Sequence, residues 1–132
     1  MRITKDNINK FIKGKTMSCS DNDITHIEYI PDHIKYLYCH NNKLTELPKL
    51  PDGLEYLSCY DNKLTELPKL PENLLSLYCY NNNITSLPKL PDLLISLSCH
   101  NNNNLPYEIT LDNIKEHNQL IKRKEILSKI CV

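Results

Sequence analysis

The repeating unit of this chain is clearest in residues 54–73, LEYLSCYDNKLTELPKLPEN. The same pattern recurs every 20 residues, and one column of it holds five cysteines: Cys19, Cys39, Cys59, Cys79 and Cys99. An asparagine follows each of these cysteines, and leucine, isoleucine and proline fill further columns. A fixed period of this length predicts a solenoid, in which each unit buries its apolar edge against its neighbours.

The unit predicts a short strand followed by an extended return path. Leu57 and Cys59 alternate with Ser58 and Tyr60, which is typical of a strand with one buried face. Stacked copies of this strand form a parallel sheet, and the asparagine after it can hydrogen-bond backbone groups that the turn leaves free. Two prolines per unit favour a polyproline-like return path and disfavour a helix.

Residues 54–64 resemble the leucine-rich-repeat motif LxxLxLxxNxL, with Cys59 in the third apolar position. The 20-residue period and the Leu-Pro-x-Leu-Pro half resemble the short repeats of bacterial type III effectors. The cysteine variant resembles leucine-rich-repeat proteins of giant amoebal viruses. The resemblance covers residues 14–104 and implies an α/β leucine-rich-repeat solenoid, a β-rich right-handed horseshoe. About five short parallel strands would line its concave side, with an extended convex side and helical caps at both ends.

We predict one domain over residues 1–132. Its parts are an N-terminal helical cap (1–14), the repeats (15–104) and a C-terminal helical cap (105–132), because uncovered end repeats would expose the core. Thr4 is predicted to cap a helix over residues 5–13, and Thr110 a helix over 111–131. The side chains expected to cover the core are Ile8, Phe11 and Ile12 in the first helix, and Leu111, Ile114, Leu120, Ile121, Leu127 and Ile130 in the second.

The strand residues that alternate with the core positions form an uncharged face rich in tyrosine. The predicted partner-binding residues are Tyr36, Tyr38, His40, Tyr56, Ser58, Tyr60, Ser76, Tyr78, Tyr80, Ser98 and His100. Six of the eight tyrosines lie here, whereas lysine, aspartate and glutamate fall in turns and on the return side. Tyrosine and serine give antibody binding sites rigid contact area and adaptable hydrogen bonds. The alternative is that these tyrosines only pack across the strands.

The predicted face is small. Five strands at a step of about 4.8 Å make a sheet only about 20 Å wide, whereas a standard interface buries about 800 Å² per partner. We therefore expect a monomer that binds weakly or uses neighbouring columns, or weak self-association that lengthens the sheet.

The sequence offers no pattern for catalysis, and we predict no cofactor and no metal. Cys59 shares the core-facing register with Leu57, so the cysteine column is interpreted as core filling. Cys131 is interpreted as the last apolar turn of the C-terminal cap.

We therefore predict a non-enzymatic protein-interaction module with a protein partner. A structural spacer or self-assembling unit is the alternative, and an enzyme that uses Cys131 is the least favoured hypothesis. Sixteen basic and sixteen acidic residues balance to zero net charge, which argues against nucleic-acid and membrane binding. No apolar run approaches the ~18 residues of a membrane span, and residues 1–7 do not resemble a signal peptide. We expect a cytoplasmic protein, acting in the host cytoplasm if it is viral or an effector.

Overall fold

The computed structural model describes residues 1–102 and 105–130, and in it the repeats stack as a leucine-rich-repeat solenoid. The strands are Arg2–Ile3 (β1), Ile12–Lys13 (β2), Thr16–Ser18 (β3), His26–Ile27 (β4), Tyr36–Tyr38 (β5), Tyr56–Ser58 (β6), Ser76–Tyr78 (β7) and Ser96–Ser98 (β8), and the α-helix is Ile114–Ile130 (α1). The main sheet has the order β2-β3-β5-β6-β7-β8, in which β3 and β5–β8 run parallel. The predicted fold and its five parallel strands are confirmed. A small second sheet pairs β1 with β4.

The pairing offset between strands equals the sequence period. Leu37 pairs with Leu57, Leu57 with Leu77, and Leu77 with Leu97. Equivalent residues of successive repeats therefore lie side by side in columns. The leucine and cysteine columns form the buried core, as the alternation predicts.

A ladder of asparagine side chains joins the repeats just after each strand. Asn82 Oδ1 accepts the Leu64 N–H (3.0 Å), and Asn82 Nδ2 donates to the carbonyls of Cys59 (3.1 Å) and Cys79 (3.0 Å). The same bonds recur in the other copies, made by Asn42, Asn62 and Asn102. Each side chain thus connects two adjacent coils through backbone groups that would otherwise be buried without partners. The predicted role of the asparagine column is confirmed for these four residues, whereas exposed Asn22 in the first repeat does not make these bonds.

The residue before each asparagine turns the chain with a positive φ. Asn41, Asp61 and Asn81 have φ of 54°, 53° and 55°, in the left-handed region that aspartate and asparagine tolerate better than most residues. The column of Asp and Asn at positions 21, 41, 61, 81 and 101 therefore has a conformational role.

The return side is extended, and residues 14–102 contain no helix. It ends in a tight turn in which a proline carbonyl accepts the N–H three residues later. This bond joins Pro51 to Leu54 at 3.1 Å and Pro71 to Leu74 at 3.2 Å. The buried leucines of this side, such as Leu70, complete the core from the side opposite the sheet.

The N-terminal segment does not form the helix predicted over residues 5–13. It forms a single 3-10 turn, Ile8–Phe11, which begins after Asn7 and not after Thr4. Isoleucine, asparagine, aspartate and phenylalanine, which make up six of the nine residues 5–13, are weak helix formers. The three side chains predicted to point inward are nevertheless buried or half-buried against the core: Ile8, Phe11 and Ile12.

The first parallel strand is covered by a hairpin. β2 pairs antiparallel with β3, with Ile12 opposite Met17, and Gly14 between the two strands has a φ of 60°. The hairpin supplies hydrogen bonds to an edge that a helix would have left open, which gives a physical reason for the departure from the predicted helix.

The C-terminal helix exists as predicted, but it covers less of the core than expected. Thr110 is the N-cap of a 3-10 turn, Leu111–Asn113, which leads into α1. The contacts come early in the helix: His117 is buried, and the Asn118 side chain bonds both the N–H and the carbonyl of Leu90 at 2.8 Å. Within the described residues, no helix is long and apolar enough to cross a membrane.

The prediction that six apolar side chains of this helix cover the last repeat is wrong for four of them. These four are exposed: Leu111, Leu120, Leu127 and Ile130. At ~100° per residue, Leu120 and Leu127 point about 120–140° away from Ile114, which packs against the core. Buried Ile109, which precedes the helix, already closes the end of the core.

Asn82→Ala is expected to lower the free energy of unfolding by about 2–4 kcal/mol, because it leaves several buried backbone groups without partners. Urea denaturation measures the loss. Asn22→Ala is the matched control, since exposed Asn22 lies in the first repeat and its amide donates to Ser20 alone among the described residues. We expect the control to lose less than about 1 kcal/mol. Equal losses in the two variants would contradict the ladder.

Candidate protein-binding face

The eleven predicted residues lie on one side of the main sheet, opposite the buried leucine and cysteine columns. We call this surface the aromatic face. Its members are Tyr36, Tyr38, His40, Tyr56, Ser58, Tyr60, Ser76, Tyr78, Tyr80, Ser98 and His100. Their common side follows from alternation along each strand and from the in-register pairing between strands.

One row of the aromatic face is a continuous stack of four rings. His40 and Tyr60 have ring centroids 4.4 Å apart, Tyr60 and Tyr80 4.5 Å, and Tyr80 and His100 4.7 Å. The ring planes are within 7° of parallel in each pair. These spacings match the ~4.8 Å step between strands, so the in-register sheet itself imposes the stack. The positions of these rings are therefore set by the sheet.

A second row packs in a zigzag across three strands. The ring of Tyr56 lies 4.9 Å from that of Tyr38 and 5.6 Å from that of Tyr78, with tilted planes. In its own column Ser58 lies between Tyr38 and Tyr78, and it is only 1% exposed. Ser58 therefore belongs to the predicted face but is too buried to contact a partner.

Serine hydroxyls hold several of these rings. His40 Nδ1 lies 3.1 Å from Ser20 Oγ and 3.0 Å from Ser58 Oγ. Tyr78 Oη lies 2.5 Å from Ser96 Oγ. Ser20 and Ser96 were not among the eleven predicted site residues, although they occupy the same columns. Their column positions are the sequence signal that could have added them.

The aromatic face carries no lysine, arginine, aspartate or glutamate side chain. Burial raises the pKa of Tyr56, and the neighbouring phenols of Tyr38 and Tyr78 raise it further. Burial and the Tyr80 phenol likewise raise the pKa of Tyr60. Both hydroxyls therefore stay protonated at neutral pH and can donate hydrogen bonds. Charge begins only at the border, for example at Lys35 and Glu55, whose Nζ and Oε2 atoms are 4.0 Å apart.

The cysteine column is buried beneath the sheet and is poorly suited to nucleophilic chemistry. Burial raises the pKa of Cys19 to about 12, and it raises the pKa of Cys39 and Cys59 well above the usual range. All five cysteines of the column are free thiols. Among the residues that the structure describes, no cluster of three His, Cys, Asp or Glu side chains could hold a metal ion. Cys131 lies outside the described residues.

Solved structures of bacterial proteins share this fold. YopM from Yersinia enterocolitica is 40% identical, with a TM-score of 0.62 over 63% of this chain and 18% of that chain. A leucine-rich-repeat domain of a Shigella effector is 29% identical, with a TM-score of 0.67 over 83% of this chain and 49% of that chain. The chain thus spans less than half the length of either neighbour. No protein-family profile and no curated protein matches it. The predicted similarity to the repeats of bacterial effectors is confirmed.

Tyr56→Ala is expected to cost about 1–2 kcal/mol in free energy of unfolding, because Tyr56 contacts two other rings. Tyr36→Ala is the matched control: Tyr36 is 39% exposed, and we expect a loss of at most about 0.5 kcal/mol. Chemical denaturation of both variants makes the comparison. A Tyr56→Ala protein as stable as the Tyr36→Ala protein would contradict the packing of the second row.

The five thiols of the column are expected to resist a thiol-specific reagent in the folded protein at pH 8, since they are buried and their pKa values are raised. A Cys131→Ser background removes the one cysteine outside the column. Ellman's reagent should react with all five only after denaturation. Rapid reaction of any of them in the native protein would show that the column is accessible.

Proposed function

We propose that this chain is a protein-interaction module, which binds a protein partner through the aromatic face. The observation that carries the proposal is the stack of His40, Tyr60, Tyr80 and His100 on a surface without charged side chains. Aromatic residues are enriched and charged residues depleted in the centres of protein interfaces. Rings that are already stacked lose little conformational freedom when a partner binds.

The aromatic face would present ring edges and hydroxyl groups to its partner. Within the stack, the faces of Tyr60 and Tyr80 are covered by neighbouring rings, so a partner meets their edges and phenol oxygens. Such a surface favours an uncharged, hydrogen-bonding segment that lies across the strands. Because the parallel strands span only about 20 Å, we expect weak binding unless neighbouring columns take part.

Similarity to a Shigella effector domain supports an interaction module in general terms. The share of that protein covered is 49%, so no partner is carried over from it. We further propose that the module acts in the cytoplasm, or in the host cytoplasm if it is an effector. We propose no catalytic role, because the thiols of the cysteine column are buried and their pKa values are raised.

The alternative function is a structural spacer whose tyrosines only pack against one another. The contacts of Tyr56 with Tyr38 and Tyr78, and the burial of Ser58 among them, favour this reading for the second row. Both functions predict that loss of these rings lowers stability. Only the interaction module predicts that loss of the accessible rings also removes a bound protein.

Tyr60→Ser combined with Tyr80→Ser tests the proposal. The tagged chain is used to purify partners from lysate of the cells in which it acts, and bound proteins are quantified by mass spectrometry. We expect the double variant to lose its main partner by at least about tenfold, because central aromatic residues dominate interface energies.

Tyr29→Ser is the matched control, since Tyr29 is 41% exposed but lies outside the aromatic face. It should retain the partner in full. Circular dichroism confirms that each variant is folded at the temperature of the purification. A folded double variant that still binds every partner of the original chain would refute the proposal.

A further inference from the structure

In the part of the chain that the structure describes, the last strand of the main sheet, β8, has one edge without a neighbouring strand. We propose that this edge binds an extended peptide segment of a protein partner, which joins the sheet as a further parallel strand. The site adjoins the aromatic face, because Ser98 and His100 of that face line the same groove, but it does not depend on the function proposed for that face.

The hydrogen-bond pattern of the sheet identifies the groups that this edge offers. Each cysteine N–H donates to the carbonyl of the next strand: Cys59 to Tyr78 at 2.8 Å, and Cys79 to Ser98 at 2.9 Å. By the same register, the N–H of Cys99 points away from β7 toward the position of a further strand. Among residues 1–102 and 105–130, this N–H has no backbone partner.

The edge also offers an acceptor. The Glu55 carbonyl accepts the N–H of Ser76, and the Leu75 carbonyl accepts that of Ser96, both at 3.2 Å. The Ile95 carbonyl occupies the equivalent position in the last repeat and faces the same open edge. Donor and acceptor thus alternate along β8 as a parallel strand requires.

A groove of about 390 Å³ lies between this edge and residues 105–110. Apolar side chains from both sides line it, including Leu97, Leu105 and Ile109. Ile109 is buried, and its carbonyl accepts a hydrogen bond from Cys99 Sγ at 3.1 Å. Ile109 therefore already covers the end of the hydrophobic core, and only the space beside the β8 strand, which we call the strand layer, is open.

This geometry favours a peptide over a second copy of the chain. A second copy would bring a complete coil to the edge, and the core side of that coil would need the space that Ile109 already fills. A single extended segment needs only the strand layer. Pairing of this kind draws affinity from backbone hydrogen bonds and specificity from alternate side chains.

Side chains beside the edge indicate that the occupant is apolar. The column before the strand reads Lys35, Glu55, Leu75 and Ile95, so it changes from charged to aliphatic toward the last repeat. Ile95 is 70% exposed and nearby Leu93 is 56% exposed. Exposed aliphatic side chains that lie together form apolar patches, which are typical of surfaces that a partner covers.

The charges around the groove further restrict which peptide segments can bind there. Residues 93–102 contain no lysine, arginine, aspartate or glutamate, and the groove contains one acidic residue, Glu108. The fitting segment is uncharged, has apolar residues at alternate positions and tolerates a basic residue opposite Glu108. Acidic segments are disfavoured by the same carboxylate.

A peptide copied from the chain itself is a suitable probe, because its own repeat supplies the strand pattern. We would use a fluorescently labelled peptide of residues 74–84 with Cys79→Ser, and measure binding to the full chain by anisotropy. Saturating binding is expected. The same peptide with Ser76→Pro lacks the N–H that should reach the Ile95 carbonyl, and it is expected not to bind.

Amide hydrogen exchange locates the bound peptide. In the free chain, the amide of Cys99 should exchange much faster than that of Cys79, which is bonded to β8. Saturation with the peptide should slow exchange at Cys99 by at least about tenfold. A Cys99 amide that is already protected in the free chain would overturn the proposal.

Ile95→Lys should weaken peptide binding by at least about tenfold, because it replaces the exposed aliphatic contact beside the edge. Leu127→Lys is the matched control, since Leu127 is 57% exposed on α1, and its affinity should be unchanged. Absence of peptide binding, equal effects of the two variants, or a β8-paired dimer in sedimentation that excludes the peptide would each overturn the proposal.

Discussion

The structure depends on one constraint: the offset between paired strands is the same 20 residues as the period of the sequence. Each side chain is therefore placed beside its own counterparts, one strand step away. The buried asparagines maintain this register, because each bonds the backbone of two successive coils at once. A shift of the register by one residue would leave these amides, and the backbone groups that they bond, without partners.

The same constraint gives the two sides of the sheet their different chemistry. On the inner side, the register aligns the cysteines and leucines in apolar columns, and burial raises the pKa of the cysteine thiols. Outside, it lines up phenol and imidazole rings at a spacing that suits face-to-face stacking. Aromatic residues repeated in an outward column are therefore stacked by the sheet itself, and no additional structural element is needed to position them. Within the described residues no further strand pairs with β8, so the backbone groups on its outer edge are open, and Leu93 and Ile95 just before it are exposed.

The repeats could be predicted from sequence because five copies present the same pattern. Every column of the repeat gives the same 20-residue period, so the columns support one another. The strands, the buried cysteines, the asparagine bonds and the side of the sheet that carries the tyrosines follow from period and alternation. The ends could not be predicted as well, because each occurs once and its form depends on tertiary contacts. The N-terminal hairpin forms where β3 needs a neighbour, and α1 leaves Leu120 and Leu127 exposed because Ile109 already closes the core. The burial of Ser58 depends on how three rings from different strands pack, which no single column reveals.

The arrangement of the rings in solution tests whether the 20-residue register places the side chains of successive repeats side by side. A two-dimensional nuclear Overhauser spectrum of the protein reports ring protons that lie within about 5 Å of each other, because the effect falls steeply with distance. In-register stacking predicts cross-peaks between Tyr60 and both of its stacked neighbours, His40 and Tyr80, whose ring centroids lie 4.4 Å and 4.5 Å away. Absence of these cross-peaks, or contacts of the Tyr60 ring with the leucine column, would show that the rings do not stack in register.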